Sequence, residues 1–331
     1  MVHNRGNPAT GGVWRMPGGE VLKVARPAWL PPLHPVTWPT SDDPAHWNYW
    51  QREALAYRTG FAASVYADAG IVPPSLLRTA DRPDGEIELW LAFADGMPGF
   101  SWPVARIAAF ARQLGQAQAG WAGRVPAEPW LSRHWLAQYL SAGPATSVFL
   151  SPASPWRHPL WPSDALDRLR SAWIARPSLV TRCDAVPHTL CHLDVWPNNL
   201  ISSGATSVLL DWAFCGDGGI GEDPANLIVD SFTDGLMDPS LLPELTEAVM
   251  DSYVEGLRDG GWTGSGDDVR RWIMLFGVTK YSWFAPALLG RMIHDGDLGQ
   301  KTYGQDTSGD SAMVRLRGLI TMLGEWAAAV R

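Results

Sequence analysis

The sequence predicts an α+β fold in two lobes: a small N-terminal lobe on an antiparallel sheet, residues 1–95, and a larger, mainly helical C-terminal lobe, residues 96–331. Three observations carry this. Short apolar runs that read as strands gather in the first part of the chain, and a Gly- and Pro-containing linker follows the last of them. Beyond the linker, apolar residues recur at helical spacing, interrupted by one short hairpin.

In chain order, Val13 to Met16 and Val21 to Ala25 are apolar runs joined by the turn Pro17-Gly18-Gly19-Glu20, so they read as a hairpin. A Pro- and Trp-rich connection runs to about Asp43. The spacing then predicts a helix from Asp43 to Ala69, either continuous or broken near Thr59-Gly60. Glu86 to Phe93 alternates polar and apolar before turning continuously apolar, as a strand running into a core does. It ends at Ala94-Asp95-Gly96-Met97-Pro98-Gly99, the expected extended linker and lobe boundary. A helix is expected over Val104–Gly120, with helical segments between proline-rich loops continuing to about Ile174. From Pro239 to Val330 the chain again reads as helical, with a Gly- and Asp-rich interruption around 259–268. No internal repeat at solenoid periods is present.

Composition narrows the function classes. A hydrophobic content of 46% fits a globular protein with a substantial core. The net charge of -8 and only 26 Lys plus Arg give no footprint for a nucleic-acid partner, which would need clustered cations against phosphate. The polar start MVHNRGNPATGG lacks a secretory pattern and no stretch is apolar enough to span a bilayer, so no membrane association and a cytoplasmic location are expected. Cys183, Cys191 and Cys215 read as reduced, buried thiols. Most of the 19 tryptophans are expected in the core, with some lining a ligand pocket.

The chemistry concentrates between His188 and Asn226. Leu200–Ser202 and Ser207–Leu210 flank the turn Ser203-Gly204-Ala205-Thr206 and should pair as an antiparallel hairpin. Asn199 precedes the first strand and Asp211 follows the second, which puts both oxygen-bearing side chains at the same open end. An amide oxygen and a carboxylate placed there suit Mg2+, which takes few protein ligands and completes its shell with phosphate and water. Asp194, five residues before Asn199 on the preceding loop, is placed to accept a proton from a hydroxyl.

His192-Leu193-Asp194 with Asn199, followed by Asp211, resembles the H-x-D-x-x-x-x-N catalytic loop and metal-binding aspartate of kinases. Asp211-Trp212-Ala213 in place of D-F-G, and the short hairpin between the two sites, resemble the aminoglycoside phosphotransferase and choline kinase branch. The resemblance implies a protein-kinase-like fold and assigns further roles in order along residues 10–230. Lys23, in Val21-Leu22-Lys23-Val24, would contact the phosphates, and Glu53 on the first helix would pair with it. Thr10-Gly11-Gly12 would cover the nucleotide. Leu91 to Asp95, with Leu91 and Phe93, would form the hinge that grips the purine edge; ATP and GTP both stay open as donors, because hinge backbone makes the base contacts. His192 would be a structural residue of the loop, holding it by hydrogen bonds. The implied activity is transfer of a γ-phosphate to a hydroxyl of a small molecule, by resemblance an antibiotic, giving resistance by phosphorylation. A metabolic kinase of an amino alcohol or sugar and a non-catalytic binding protein are the alternatives.

Two departures from the family pattern stand out. Gly221-Glu222-Asp223-Pro224-Ala225-Asn226-Leu227 carries Asn226 where the family has a second aspartate, so loop support is expected to differ. Little chain precedes the glycines, so the first strand of the nucleotide lobe is expected to be short or missing. Other readings compete residue by residue. Lys23 alone would be a snorkelling edge-strand lysine, and Glu53 alone a solvated helix residue. Cys183, His188, Cys191 and His192 lack the spacing of a zinc knuckle. Asp217, among Gly216, Gly218 and Gly219, reads as loop. Asp230, Asp234, Asp238, Glu244 and Glu247 read most simply as a solvated face, or, for Asp230 and Asp234, as residues that meet a cationic acceptor.

Overall fold

The structure, a computed structural model, describes residues 1, 3–36, 38–142, 156–295 and 309–331. The hairpin expected near the start is β1 (Thr10–Arg15) and β2 (Val21–Ala25), in register from Gly12 opposite Val24 to Arg15 opposite Val21. Then come α1 (Arg52–Arg58), α2 (Phe61–Ser64), β3 (Ile71–Val72), β4 (Leu76–Asp81), β5 (Ile87–Leu91) and β6 (Met97–Pro98). The first sheet has the order β1-β2-β5-β4, antiparallel throughout. In β5, Ile87, Leu89 and Leu91 are buried and alternate with half-buried Glu88 and Trp90, so the strand keeps period two to its end.

The helix expected from Asp43 begins only at Arg52 and does break at Thr59-Gly60, where Gly60 takes a left-handed φ of 75°. Residues 43–51 form a non-helical loop, three of whose carbonyls are claimed by one side chain. The fully buried Arg52 donates to the carbonyls of Pro44, His46 and Trp47, and also to those of Trp130 and Ala213. Asn48 holds the same loop through Pro39 O and the Asn7 side chain, each at 3.0 Å.

The larger, mainly helical region continues with α3 (Val104–Ala119), α4 (Trp135–Ala142), α5 (Ser163–Ile174) and α6 (Arg176–Asp184). Next come β7 (His188–Cys191), β8 (Leu200–Ser203), β9 (Thr206–Leu209) and β10 (Gly216–Gly219). Then follow α7 (Glu222–Thr233), α8 (Leu242–Asp259), α9 (Gly266–Tyr281), α10 (Phe284–Asp295) and α11 (Gly309–Ala329). The parts of the expected helical stretches at 143–155 and 296–308 lie outside the described residues. α3 and α8 meet backbone to backbone at Gly115 and Gly256: a Cβ on Gly115 would stand 2.3 Å from Tyr253 O, and one on Gly256 2.0 Å from Arg112 O. Trp47, Trp173 and Trp212 are among the largest fully buried side chains, whereas Trp14 and Trp29 are exposed. Among the described residues no helix is long and apolar enough to cross a membrane.

The hairpin β8–β9 forms as expected, Leu200 opposite Leu209 and Ser203 opposite Thr206. It sits inside a second sheet of order β3-β9-β8-β6, with β3 parallel to β9 and Met97-Pro98 of the expected linker paired to β8. Asp217 is not in a loop. The run Gly216-Asp217-Gly218-Gly219 is a strand antiparallel to β7, and its glycines are needed because Ser132 backbone, Cys191 and the Phe276 ring occupy the space where Cβ atoms would go. His188 Nδ1 and Asp217 Oδ1 lie 2.7 Å apart across this pair.

Two consequences can be measured. Arg52→Met would leave five carbonyls without their buried donor, so unfolding by urea is expected to show a loss of about 3 kcal/mol or more; a change under 1 kcal/mol would contradict the tether. The hydrogen bond to Asp217, against partial burial, holds the His188 imidazole up at about 9. A folded-state value above the unfolded one gives stability that is complete below about pH 6.5 and lost as pH rises through about 9. The melting-temperature gap between wild type and His188→Gln is therefore expected to be widest near pH 6 and to close above about pH 9.5.

Candidate active site

The structure gathers Lys23, Glu53 and Asp211 from β2, α1 and the end of β9. Lys23 Nζ is 2.6 Å from Glu53 Oε2 and 2.9 Å from Asp211 Oδ1. The side chains of Lys23 and Glu53 are 11% and 6% exposed, while that of Asp211 is 39% exposed, so Asp211 alone of the three presents oxygen to open space. Burial alone would depress the Lys23 ammonium, but Asp211 and Glu53 outweigh it and hold it above its ordinary range. Burial likewise works to raise Asp211, and Lys23 overcomes it and keeps the carboxyl low. Glu53, enclosed and with Asp211 near, is pushed up to about 7 in spite of Lys23. Thr10, Tyr49, Trp50 and Phe214 join these residues around a cavity of about 40 Å³, room for a cation or a phosphate oxygen.

Asn199 and Asp211 stand at one end of the β8–β9 hairpin, as the register requires: Leu210 N–H donates to Asn199 O at 2.8 Å. The Asn199 amide nitrogen donates to Asp194 O at 2.9 Å and to Asp194 Oδ2 at 2.8 Å. That spends both amide protons on Asp194 and leaves the amide oxygen as the atom free to ligate. With the Asp211 carboxylate it makes a donor set of hard oxygens that suits Mg2+. Among the described residues no cluster of three or more His, Cys, Asp or Glu could hold a metal by itself, so a metal here would need phosphate oxygens or water. Burial, with Asp211 adding to it and Lys280 opposing, pushes the Asp194 carboxyl up to about 7. Leu193 and Asp211 both hold left-handed backbone, φ 67° and 59°, a conformation that costs a non-glycine residue about 1 kcal/mol and needs outside support.

For Leu193 that support comes from Asp223, a residue to which the sequence pattern assigns no role. It is fully buried at the start of α7 and accepts from His192 N at 2.8 Å and Leu193 N at 2.7 Å. Gln118 of α3 donates to the same carboxylate at 2.7 Å. The His192 ring is buried edge-on against Trp212 at 5.0 Å, with the backbone of Leu210 and Asp194 beside its nitrogens. Burial pushes it down to about 4, so it is neutral. Asn226 takes part in loop support by an amide: its Nδ2 donates to Leu193 O at 3.4 Å, and its Oδ1 accepts from Lys280 Nζ at 2.6 Å.

The other expected positions are placed as follows. Gly11 and Gly12 lie in β1, with an irregular register between Thr10 and Gly12, and do not form a free loop; Asn7, Ala9 and Thr10 are the residues that border Lys23 from this side. Leu91 is buried in β5, and Phe93 follows it with the Arg15 guanidinium 4.0 Å over its ring. Asp230 is not part of a solvated face: it is partly buried, accepts from the Tyr281 and Thr233 hydroxyls, and lies near Asp194 and Lys280. Asp234 caps the C-terminal end of α7, and Glu247 pairs with Arg270 at 3.0 Å. Cys183, His188, Cys191 and His192 do not converge; Cys183 Sγ bonds Thr279 and His188 bonds Asp217. Lys280 carried no sequence signal, since a lone lysine on an amphipathic helix has no motif around it.

The sequence matches the APH family, described as the phosphotransferase enzyme family, over residues 62–249, more than half of the chain. No curated protein matches it. Among solved structures it is similar to the amicoumacin kinase hAmiN in complex with AMP-PNP, Ca2+ and Ami, at 13% identity over 96% of this chain and 84% of that one, TM-score 0.51. A choline/ethanolamine kinase family protein from Mesorhizobium loti is similar at 16% identity over 98% and 93%, TM-score 0.51. The GDP and kanamycin complex of APH(2")-IIia is similar at 13% identity over 97% and 94%, TM-score 0.51. At these identities the likeness shows the fold, which is protein-kinase-like.

Asp223→Asn keeps the volume but replaces one acceptor oxygen with a donor facing two N–H groups. It is expected to lower the melting temperature and to reduce turnover at least about tenfold, with nucleotide affinity changed less. Thermal unfolding with steady-state kinetics checks this, and unaltered turnover would show that Asp223 does not position the loop.

Proposed function

This chain belongs to the APH phosphotransferase family, and we propose that it moves the γ-phosphate of ATP or GTP, with Mg2+, onto a hydroxyl of an antibiotic or a similar natural product. It is a small-molecule phosphotransferase with a hydroxyl acceptor. The observation that carries the finer reading is the junction at the β8–β9 hairpin: Asp194 tied to Asn199 at 2.8 Å, with Asp211 at the same hairpin end and bound to Lys23. One carboxylate is thereby free for the acceptor and the other for a metal.

In this reading Lys23, fixed by Glu53, contacts the donor phosphates, and Asn199 and Asp211 hold Mg2+, which when bound neutralises charge between the phosphates. The nucleotide lies between residues 1–95 and 96–331, with its base at Leu91–Asp95 and Phe93; the small cavity beside Lys23 must widen to admit it. Asp194 orients the acceptor hydroxyl and takes its proton as the oxygen bonds to the γ-phosphorus. The bond from that phosphorus to the bridging oxygen breaks, and the nucleoside diphosphate leaves with the electron pair. Resistance by phosphorylation is the proposed outcome. The dependence on a nucleoside triphosphate fits a cytoplasmic enzyme.

The two carboxylates can be told apart. Asp194→Asn is expected to cut turnover by roughly two to four orders of magnitude while nucleotide binding barely changes. Asp211→Asn is expected to abolish both turnover and the magnesium-dependent part of nucleotide binding. Calorimetric titration with nucleotide, with and without Mg2+, reads the difference. Equal loss of binding in both variants, or full turnover in the Asp194 variant, would defeat the assignment.

A further inference from the structure

Lys280, on α9, is 6% exposed, and its ammonium lies over three aromatic rings: 4.6 Å from the Trp135 ring centre, 5.3 Å from Tyr281 and 5.6 Å from Tyr139. Trp135 and Tyr139 are stacked, with centres 4.7 Å apart and planes 9° apart, and Trp38 stacks on Tyr139 as well at 5.2 Å, so on α4 it is Trp135 that turns a face to the ammonium, with Tyr139 behind it, and α9 offers Tyr281 as a second wall. The Tyr281 hydroxyl donates to the Asp230 carboxylate, and Asp230 and Asp194 are the carboxylates whose charge acts most strongly on Lys280. Converging aromatic faces with carboxylates beside them are the means by which proteins receive a ligand's ammonium group. Here the chain's own side chain ends among them.

The cluster adjoins the reacting centre. Asn226 holds Lys280 through its oxygen at 2.6 Å and reaches Leu193 O through its nitrogen, and Leu193 precedes Asp194. An aspartate at position 226 would close an ion pair with Lys280 at that distance. The amide gives a hydrogen bond without cancelling the charge, so the positive charge remains directed at the rings and at Asp230.

We propose that Lys280 fills, from within the chain, an ammonium-receiving aromatic cage beside Asp194, so that the acceptor presents a neutral or anionic group, not a cationic one, to this wall. The statement about the acceptor rests on the phosphotransferase reading; the occupancy of the cage does not. A second ammonium brought to these rings would meet Lys280 in a low-dielectric setting, where like charges repel far more strongly than in water.

Lys280→Ala removes the ammonium and leaves the rings. Choline and its uncharged carbon isostere, 3,3-dimethylbutan-1-ol, serve as probes, with thermal unfolding at matched ionic strength as the readout for wild type, Lys280→Ala and Lys280→Met. The Ala variant is expected to show a saturable rise in midpoint with choline, with an apparent affinity at least about tenfold tighter than for the isostere. Wild type and the Met variant, whose cages are filled, should show no such preference. If the Ala variant folds only when choline or n-propylammonium is present, that dependence supports the proposal equally. A saturable preference of wild type for choline over the isostere, or an Ala variant that neither responds to choline nor is rescued by n-propylammonium, overturns it. None of these readings requires turnover, so they stand or fall independently of the Asp194 and Asp211 titrations.

Discussion

The active-site geometry depends on one buried carboxylate. Asp223 accepts the N–H groups of His192 and Leu193, and this clasp holds Leu193 in left-handed backbone at φ 67°. Without it the loop would relax toward a commoner conformation, and Asp194, the next residue, would turn away from Asn199. The clasp is itself braced: Gln118 donates to Asp223, and Tyr253 donates to Gln118. Gln118 and Tyr253 come from α3 and α8, the helices that approach backbone to backbone at Gly115 and Gly256. The position of the Asp194 side chain therefore rests on helix packing well behind it.

Around the candidate site, the carboxylates of Asp211, Glu53, Asp194 and Asp230 are each set against a donor or a cation. Asp211 and Glu53 share Lys23; Asp194 has the amide of Asn199 on one side and the field of Lys280 on the other. Asp230 is engaged by two hydroxyls and faces Lys280. The single well-exposed oxygen-bearing side chain of the Lys23 group is Asp211, and a divalent cation there would compete with Lys23 for the same carboxylate.

How much of this was legible in the sequence depended on whether the signal was local. The β1–β2 and β8–β9 hairpins were readable because apolar runs flank short turns, and α3 because its apolar spacing is uninterrupted. The convergence of Lys23, Glu53 and Asp211 followed from motif order, since the residues keep their elements. What was not legible involves partners distant in sequence. The edge strand β4 has no buried side chain and so shows no alternation, and β10 is nearly all glycine, a composition that reads as loop until Ser132, Cys191 and Phe276 are seen crowding it. The late start of α1 depends on where one arginine sends its five donors. Asp230 read as surface because nothing nearby in the chain announces Tyr281 or Lys280.

The parallel pairing of β3 with β9 sets Ile71 opposite Ser207, across the whole of α3 to α6. During synthesis, β3 waits with an unpaired edge until the far hairpin strand has left the ribosome. Closure of the second sheet is then a late, high-contact-order event in folding. Asp211 follows this strand by two residues, so its meeting with Lys23 and Glu53 can form only once nearly two thirds of the chain is made.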